Sequence, residues 1–475
     1  MSLTTNIKAI RDIMRKDAGV DGDAQRISQM VWMIFLKIFA DKEEEWELVL
    51  ENYKSPIPEK FKWQNWAAND EGLTGDDLTV FINNELFPAL KEIDISHSPQ
   101  AKIVKGVFED TYNYMKNGTL FRQVINKINY LDFNDSSESH LFNDFYENML
   151  KELQSAGAAG EYYTPRGVTQ FMTDIINPTL GESILDPACG TGGFLTCSIE
   201  HLRKQVNTKD EREVLQNSIL GIEKKPMPHL LCTTNLMLHG FDLPAVKRDN
   251  FLKKSYSDWG NSDKVDIILS NPPFGGKEED GIETNFPLKF RAKETADLFL
   301  ILIIRLLKKN GRAGVILPDG SMFGDGVTAR IKEELMQKCN LHTIVRLPKN
   351  VFAPYAPLKT NLLFFEKGSS TKEVWYYEHP YPEGQKSYNK SKPINIKEFD
   401  AEKAWWNNRE ENKYAWKVSI EEIRERGYNL DVKNPYQEVN KLASPAELLE
   451  NLRATESKIN SIQEKIINVL NEALN

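Results

Sequence analysis

The chain has 475 residues, too many for one ordinary hydrophobic core, so two or three domains are expected. Hydrophobic residues at 40% and charged residues at 27% describe a globular protein. A net charge of −9 argues against a chain that grips DNA alone, because phosphate contacts come from Lys and Arg; it leaves room for a local basic groove or a basic partner.

The opening "MSLTTNIKAIRDIMRKDAGV" lacks the apolar stretch of a signal peptide, and the greasiest early run, Met30 to Phe39, is broken by Lys37 and too short for a membrane span. Four cysteines (Cys189, Cys197, Cys232, Cys339) include no CxxC pair, and no two histidines sit at ligand spacing. Neither a disulfide framework nor a metal site is expected, and the cytoplasm is the simplest location.

Residues 1–150 read as a helical domain. Ile27, Met30, Val31, Ile34, Phe35 and Ile38 recur at three- and four-residue spacing and predict one apolar face, which "DKEEEWELV" continues as a solvated acidic face. From about 155 short apolar runs alternate with helical stretches: 183–186, 218–223, 265–270, 313–318, 342–348 and 361–367. That alternation predicts an α/β domain over 151–400, with a mixed, mostly parallel sheet covered on both faces. Its ligand is expected beyond the C-terminal strand ends, where the strand order reverses. In 401–475, Leu452, Ile459, Ile462, Ile466, Val469 and Ala473 mark an amphipathic helix of coiled-coil character, which by itself is more often a packing face within one chain.

Four constellations carry chemistry. "LDPACGTGGF" (185–194) leaves a strand and opens a helix, and its glycines let backbone approach a ligand closely. Leu195 stands where a nicotinamide fingerprint needs glycine, and Asp186 would repel a pyrophosphate but suits a ligand bearing an ammonium group. Glu223, closing the next strand, can accept both hydroxyls of a ribose, although acids at strand ends are also common helix caps. "EYYTPR" (161–166) offers aromatic cover, with Thr164 and Pro165 expected to cap the next helix; a plain helix N-terminus is its simpler reading.

The fourth is "NPPF", Asn271 to Phe274. An exocyclic amine on a nucleobase is a poor nucleophile, because its lone pair is delocalised into the ring. Acceptors aimed at its hydrogens draw that pair back onto nitrogen, and Asn271 offers its side-chain oxygen, Pro272 its carbonyl. Pro272 and Pro273 stiffen the turn, and Phe274 can stack on a base that has left its helix. Lys277, Lys289, Arg291 and Lys293 stand nearby for phosphate, though a solvated loop explains them as well.

In order, "GEYYTPRGV", "DPACGTGGF", "GIE", "NPPFGG", "LPDGSMFG" (317–324) and "LKTNLLFFEKG" (358–368) make the chain resemble the methylation (M, or HsdM) subunit of a type I restriction–modification system. That family is one of S-adenosylmethionine-dependent DNA adenine-N6 methyltransferases. The resemblance implies a Rossmann-like class I methyltransferase fold between an all-helical N-terminal domain and a helical tail. It implies that Glu161, Tyr162, Tyr163, Thr164, Pro165 and Arg166 line the cofactor pocket. Asp186 with Gly190, Thr191, Gly192 and Gly193 would hold the methionine end, and Glu223 the ribose. Asn250 matches best as the adenine contact, with Asp249 the alternative. Asn271, Pro272, Pro273 and Phe274 would be catalytic, with asparagine standing where many relatives outside this group carry aspartate. The implied partners are double-stranded DNA, a specificity (S) subunit that reads sequence and packs on the terminal helix, and a second M subunit in an M2S assembly, with a restriction (R) subunit as a further candidate. Rival readings are a stand-alone adenine methyltransferase, a protein-glutamine methyltransferase and a silent cofactor-binding scaffold.

Overall fold

The computed structural model describes residues 3–474 apart from 97, 132, 134–145, 147–162, 276–277, 354–357, 390–391 and 437–444. The N-terminal part is helical and gathers around the helix Gly22–Val49. All six residues of the expected stripe are buried, and so are Trp32, Met33, Leu36 and Phe39 between them. The helix is therefore central rather than one-faced. Trp32 explains this: it meets the edges of Phe87, Phe108 and Phe121 at centroid distances of 5.0, 6.2 and 5.9 Å, so neighbours close in from several directions.

The acidic stretch departs from expectation. Asp41, Lys42, Glu43 and Trp46 are buried, while Glu44, Glu45 and Glu47 face solvent. Partners make that burial tolerable: Lys37 pairs with Asp41, the Tyr53 hydroxyl donates to Glu43 at 2.7 Å, and Lys42 reaches Asp242 at 2.7 Å.

The second part carries nine strands: β1 Ile184–Asp186, β2 Ile219–Glu223, β3 Ala245–Arg248, β4 Val265–Ser270, β5 Leu307–Pro318, β6 Cys339–Leu347, β7 Thr360–Lys367, β8 Glu373–Glu378 and β9 Ala415–Ser419. Their order is β3-β2-β1-β4-β5-β7-β6-β8-β9. Five of the eight pairings are parallel, and β7 inserts antiparallel between β5 and β6. Successive strand residues serve opposite cores: Ile268 packs with the helix Thr295–Leu306, whereas Ile267 and Leu269 pack with the helix Arg166–Ile176. Burial on both faces is what makes these strands read as continuous apolar runs.

Three strands escape sequence periodicity. β3 is a short edge strand of alternating exposed and half-buried residues, and β8 and β9 extend the far edge. The sheet therefore runs past position 400, where the sequence places the end of the catalytic domain. The helical part docks on the opposite edge. Leu230, Leu231 and Met237 of the helix Pro226–Leu238 join its core, and Arg248 pairs with Glu109 at 2.9 Å and with Asp110.

On the terminal helix Pro445–Leu474, the four stripe residues whose side chains are described face solvent. Leu452, Ile459, Ile462 and Ile466 are 55%, 49%, 56% and 54% exposed; the side chains of Val469 and Ala473 lie outside the described ones. Among the described residues, no helix is long and apolar enough to cross a membrane.

Candidate active site

The strand order reverses between β1 and β4: β2 and β3 lie on one side of β1, β4 and β5 on the other. Two neighbouring strand ends thus open a crevice, and the chain places Asp186 at one and Ser270 at the other. The Ser270 hydroxyl donates to Asp186 Oδ1 at 2.9 Å, and the Ala188 N–H donates to the same oxygen at 3.1 Å. Asp186 is 2% exposed, and burial pushes its carboxyl up to about 7 against these two donors, with the Glu223 charge adding to the rise.

The glycine turn follows. Gly190 and Gly192 take φ values of 52° and 85°, in the left-handed region open to glycine, and a Cβ on Gly192 would lie 2.9 Å from Cys232 Sγ. Glu223, at the end of β2, accepts the Gly190 N–H at 3.0 Å and the Lys225 N–H at 2.7 Å, which fixes its carboxylate against the turn. Burial raises its pKa as well. Beyond β3, Asp249 donates its N–H to the Glu223 carbonyl at 3.0 Å. The Asn250 side chain accepts from the Leu252 N–H at 3.0 Å and donates to Glu278 at 3.1 Å.

At the end of β4, Asn271 Nδ2 donates to Thr164 Oγ1 at 3.0 Å, while Asn271 Oδ1 is buried without a hydrogen-bond partner among the described residues. A buried acceptor left open costs free energy, so its persistence marks a place where a donor is expected. Pro272 is buried and Phe274 is half-buried, its ring edge-to-face with Phe352 at 5.6 Å.

These groups share one cavity of about 300 Å³, whose lining includes Tyr163, Thr164, Asp186, Gly190, Gly193 and Glu223, Asn271 to Phe274, and both Asp249 and Asn250. Four residues expected at the cofactor stand behind that wall. Pro165 is the N-terminal cap residue of its helix. Arg166 donates to the Gly193 carbonyl at 3.2 Å, to Thr196 at 2.5 Å and to Glu200 at 2.8 Å, tying that helix to the one that leaves the glycine turn. Thr191 is buried and its carbonyl accepts from Asn235 at 3.0 Å, and Gly192 backs onto Cys232. Glu161 and Tyr162 lie outside the described residues.

Thr164 makes no capping bond, because the cap position falls on Pro165; its hydroxyl faces Asn271 instead. Among the basic residues near the loop, Lys289 pairs with Glu334 at 3.2 Å and Arg291 donates to the Phe286 carbonyl at 3.1 Å, while Lys277 lies outside the described residues. Glu278, Phe299 and Phe352 also line the cavity, and no local pattern announced them.

A reversed-order crevice holding two buried carboxyls beside a buried amide oxygen with no partner among the described residues can be compared with known proteins. The N-6 DNA methylase family model matches residues 137–443, and the HsdM N-terminal domain model matches residues 3–128. The chain is 55% identical to the methylase subunit of the type I restriction enzyme EcoEI from Escherichia coli, over 100% of this chain and 99% of that protein. The chain belongs to this family. A modification subunit ascribed to a type I restriction enzyme from Vibrio vulnificus YJ016 superimposes with a TM-score of 0.81 at 45% identity, covering 91% of this chain and 96% of that one. A chain from a structure of type I complex assembly gives a TM-score of 0.83 at 33% identity, covering 99% and 98%.

As a type I methylase subunit of the N-6 DNA methylase family, the protein is a methyltransferase, and such families generally draw on S-adenosylmethionine. The helical N-terminal match and the full-length similarity disfavour the stand-alone and protein-glutamine readings.

Proposed function

We propose that this type I methylase subunit transfers a methyl group to adenine N6 of double-stranded DNA, with the base turned out of the duplex into the cavity described above. The Asn271 side chain, which lines the same cavity as Asp186 and Glu223 and whose buried Oδ1 has no hydrogen-bond partner among the described residues, is the observation that carries the reading. Bound S-adenosylmethionine supplies a methyl group activated by its sulfonium. Asp186 would hold its ammonium and Glu223 its ribose hydroxyls, with Asn250 or Asp249 at its adenine, and a positive charge beside Asp186 would offset the burial that raises its pKa.

Asn271 Oδ1 and the Pro272 carbonyl accept the two hydrogens of the target amine and direct its lone pair toward the methyl group. Phe274 stacks on the base and holds it at reacting distance. The proton leaves N6 for solvent after transfer.

The exposed stripe of the terminal helix supports a specificity subunit as partner, because Ile459 and Ile462 are about half exposed. Sequence reading would then come from that subunit, in an assembly of two M subunits and one S.

Co-expression with a neighbouring S reading frame, followed by methyl transfer to DNA, tests the proposal. Asn271→Ala and Phe274→Ala should abolish adenine methylation while leaving the dissociation constant for S-adenosylmethionine within about threefold of wild type. Unchanged methylation by either variant would overturn the catalytic assignment.

A further inference from the structure

The adenine of S-adenosylmethionine carries an exocyclic amine, which donates hydrogen bonds; hypoxanthine has at the same place an oxygen, which accepts them. We infer that Glu278 reads this amine and so makes the cavity selective for an adenine-bearing cofactor. The inference rests on the proposed placement of the cofactor, with its ribose at Glu223.

Glu278 comes from the segment after the catalytic turn and lines the cavity together with Lys224, Asp249 and Asn250. Lys224 directly follows Glu223, and the Glu223 carbonyl accepts the Asp249 N–H at 3.0 Å. A ribose held by Glu223 therefore leaves its base among these four residues. One oxygen of Glu278 is already taken: Oε2 accepts from Lys224 Nζ at 2.8 Å and from Asn250 Nδ2 at 3.1 Å. The other, Oε1, accepts no hydrogen bond among the described residues and is not sealed from solvent, the side chain being 16% exposed.

The donors and acceptors in this network cannot exchange roles. A lysine ammonium only donates. The Asn250 amide must turn Nδ2 toward Glu278, because its oxygen holds the Leu252 N–H at 3.0 Å. Asp249 is engaged on both oxygens, by the Asn250 N–H at 2.9 Å and by Lys247 at 2.5 Å. Glu278 Oε1 is the acceptor left over, on a carboxylate fixed by two donors from the cofactor side of the cavity. An amine meets it as a donor, whereas an oxygen in the amine's place would set lone pair against lone pair.

The test uses the full chain co-purified with its S partner and reads dissociation constants by calorimetry for S-adenosylhomocysteine and S-inosylhomocysteine, which carry the amine and the oxygen respectively. Wild type should bind the inosyl compound about thirtyfold more weakly, the worth of one hydrogen bond to a charged acceptor. In Glu278→Ala the two constants should come within about threefold of each other. Glu278→Gln is the stricter variant. Lys224 and Asn250 both donate, so they keep its amide oxygen and turn its NH2 to the base; the preference should reverse, with the inosyl compound bound more tightly than by wild type. A gain in affinity does not arise from a damaged fold. Equal binding of the two compounds by wild type, the full preference kept in Glu278→Ala, or an unreversed preference in Glu278→Gln each overturns the inference. Glu223→Ala separates it from the reading beneath. If that variant binds S-adenosylhomocysteine as wild type does, the cofactor placement fails; if it binds weakly while Glu278→Ala keeps the preference, only the role of Glu278 fails.

Discussion

Asp186 gives the sharpest numerical test of the cofactor site. Its carboxyl is buried at the end of β1, and desolvation raises its pKa to about 7 despite donors from Ala188 and Ser270. A ligand ammonium at this position requires the carboxylate. A group with that pKa is ionised in about half of the molecules at pH 7, about a tenth at pH 6 and about a hundredth at pH 5. Affinity for S-adenosylmethionine should therefore fall about fivefold from pH 7 to 6 and about tenfold more to pH 5. The ligand's α-amino group, with a pKa of roughly 8, stays protonated throughout that window and adds no slope of its own. Glu223, also raised by burial, makes the fall steeper. Isothermal titration calorimetry in two buffers of different ionisation enthalpy would read both effects, with about half a proton released per binding event from Asp186 at pH 7. Asp186→Asn should bind weakly and lose most of the slope. Affinity that holds constant between pH 5.5 and 7, or an Asp186→Asn variant with the wild-type slope, would refute the pairing of this carboxyl with a cationic ligand group.

Two further outcomes follow from geometry. Gly192→Ala places a methyl 2.9 Å from Cys232 Sγ at a backbone φ of 85°, so it should weaken cofactor binding and cost about 1–2 kcal/mol of stability, read as a lower urea midpoint. Adding Cys232→Ala should recover only the part due to the clash. On the terminal helix, Ile459→Asp with Ile462→Asp should leave the melting temperature within about 2 °C, because both side chains are half exposed, yet abolish co-purification with S. Retained co-purification would remove the stripe from the partner interface.

The chemistry-bearing ends of the strands were legible because their signals are local. Asp186, Glu223 and Asn271 each close an apolar run that a short window of sequence resolves, and β4 falls on 265–270 as its pattern predicts. The glycine turn and the proline-braced turn were legible for the same reason: backbone conformation is written in the residue types that permit it. Edge strands were harder. β3 and β9 are the edge strands, gain their hydrogen bonds from a single neighbour and show no full apolar run, while β8, between β6 and β9, follows β7 after only five residues with no helix to mark it off.

What lies across the fold could not be read at all. Local propensity assigned Thr164 to a helix cap and Asp41 and Glu43 to a solvated face. The structure gave the hydroxyl to Asn271, far along the chain, and buried both acids with Lys37 and Tyr53 as partners. Arg166 similarly spends its guanidinium on Glu200 and the turn helix rather than on the cavity. Sequence by itself determined which groups stand at the strand ends and the chemistry each can perform. Only the tertiary structure decided which of them face one another, because a side-chain hydrogen bond is settled by whichever partner folding brings within about 3 Å, and that distance is not a property of any short stretch of chain.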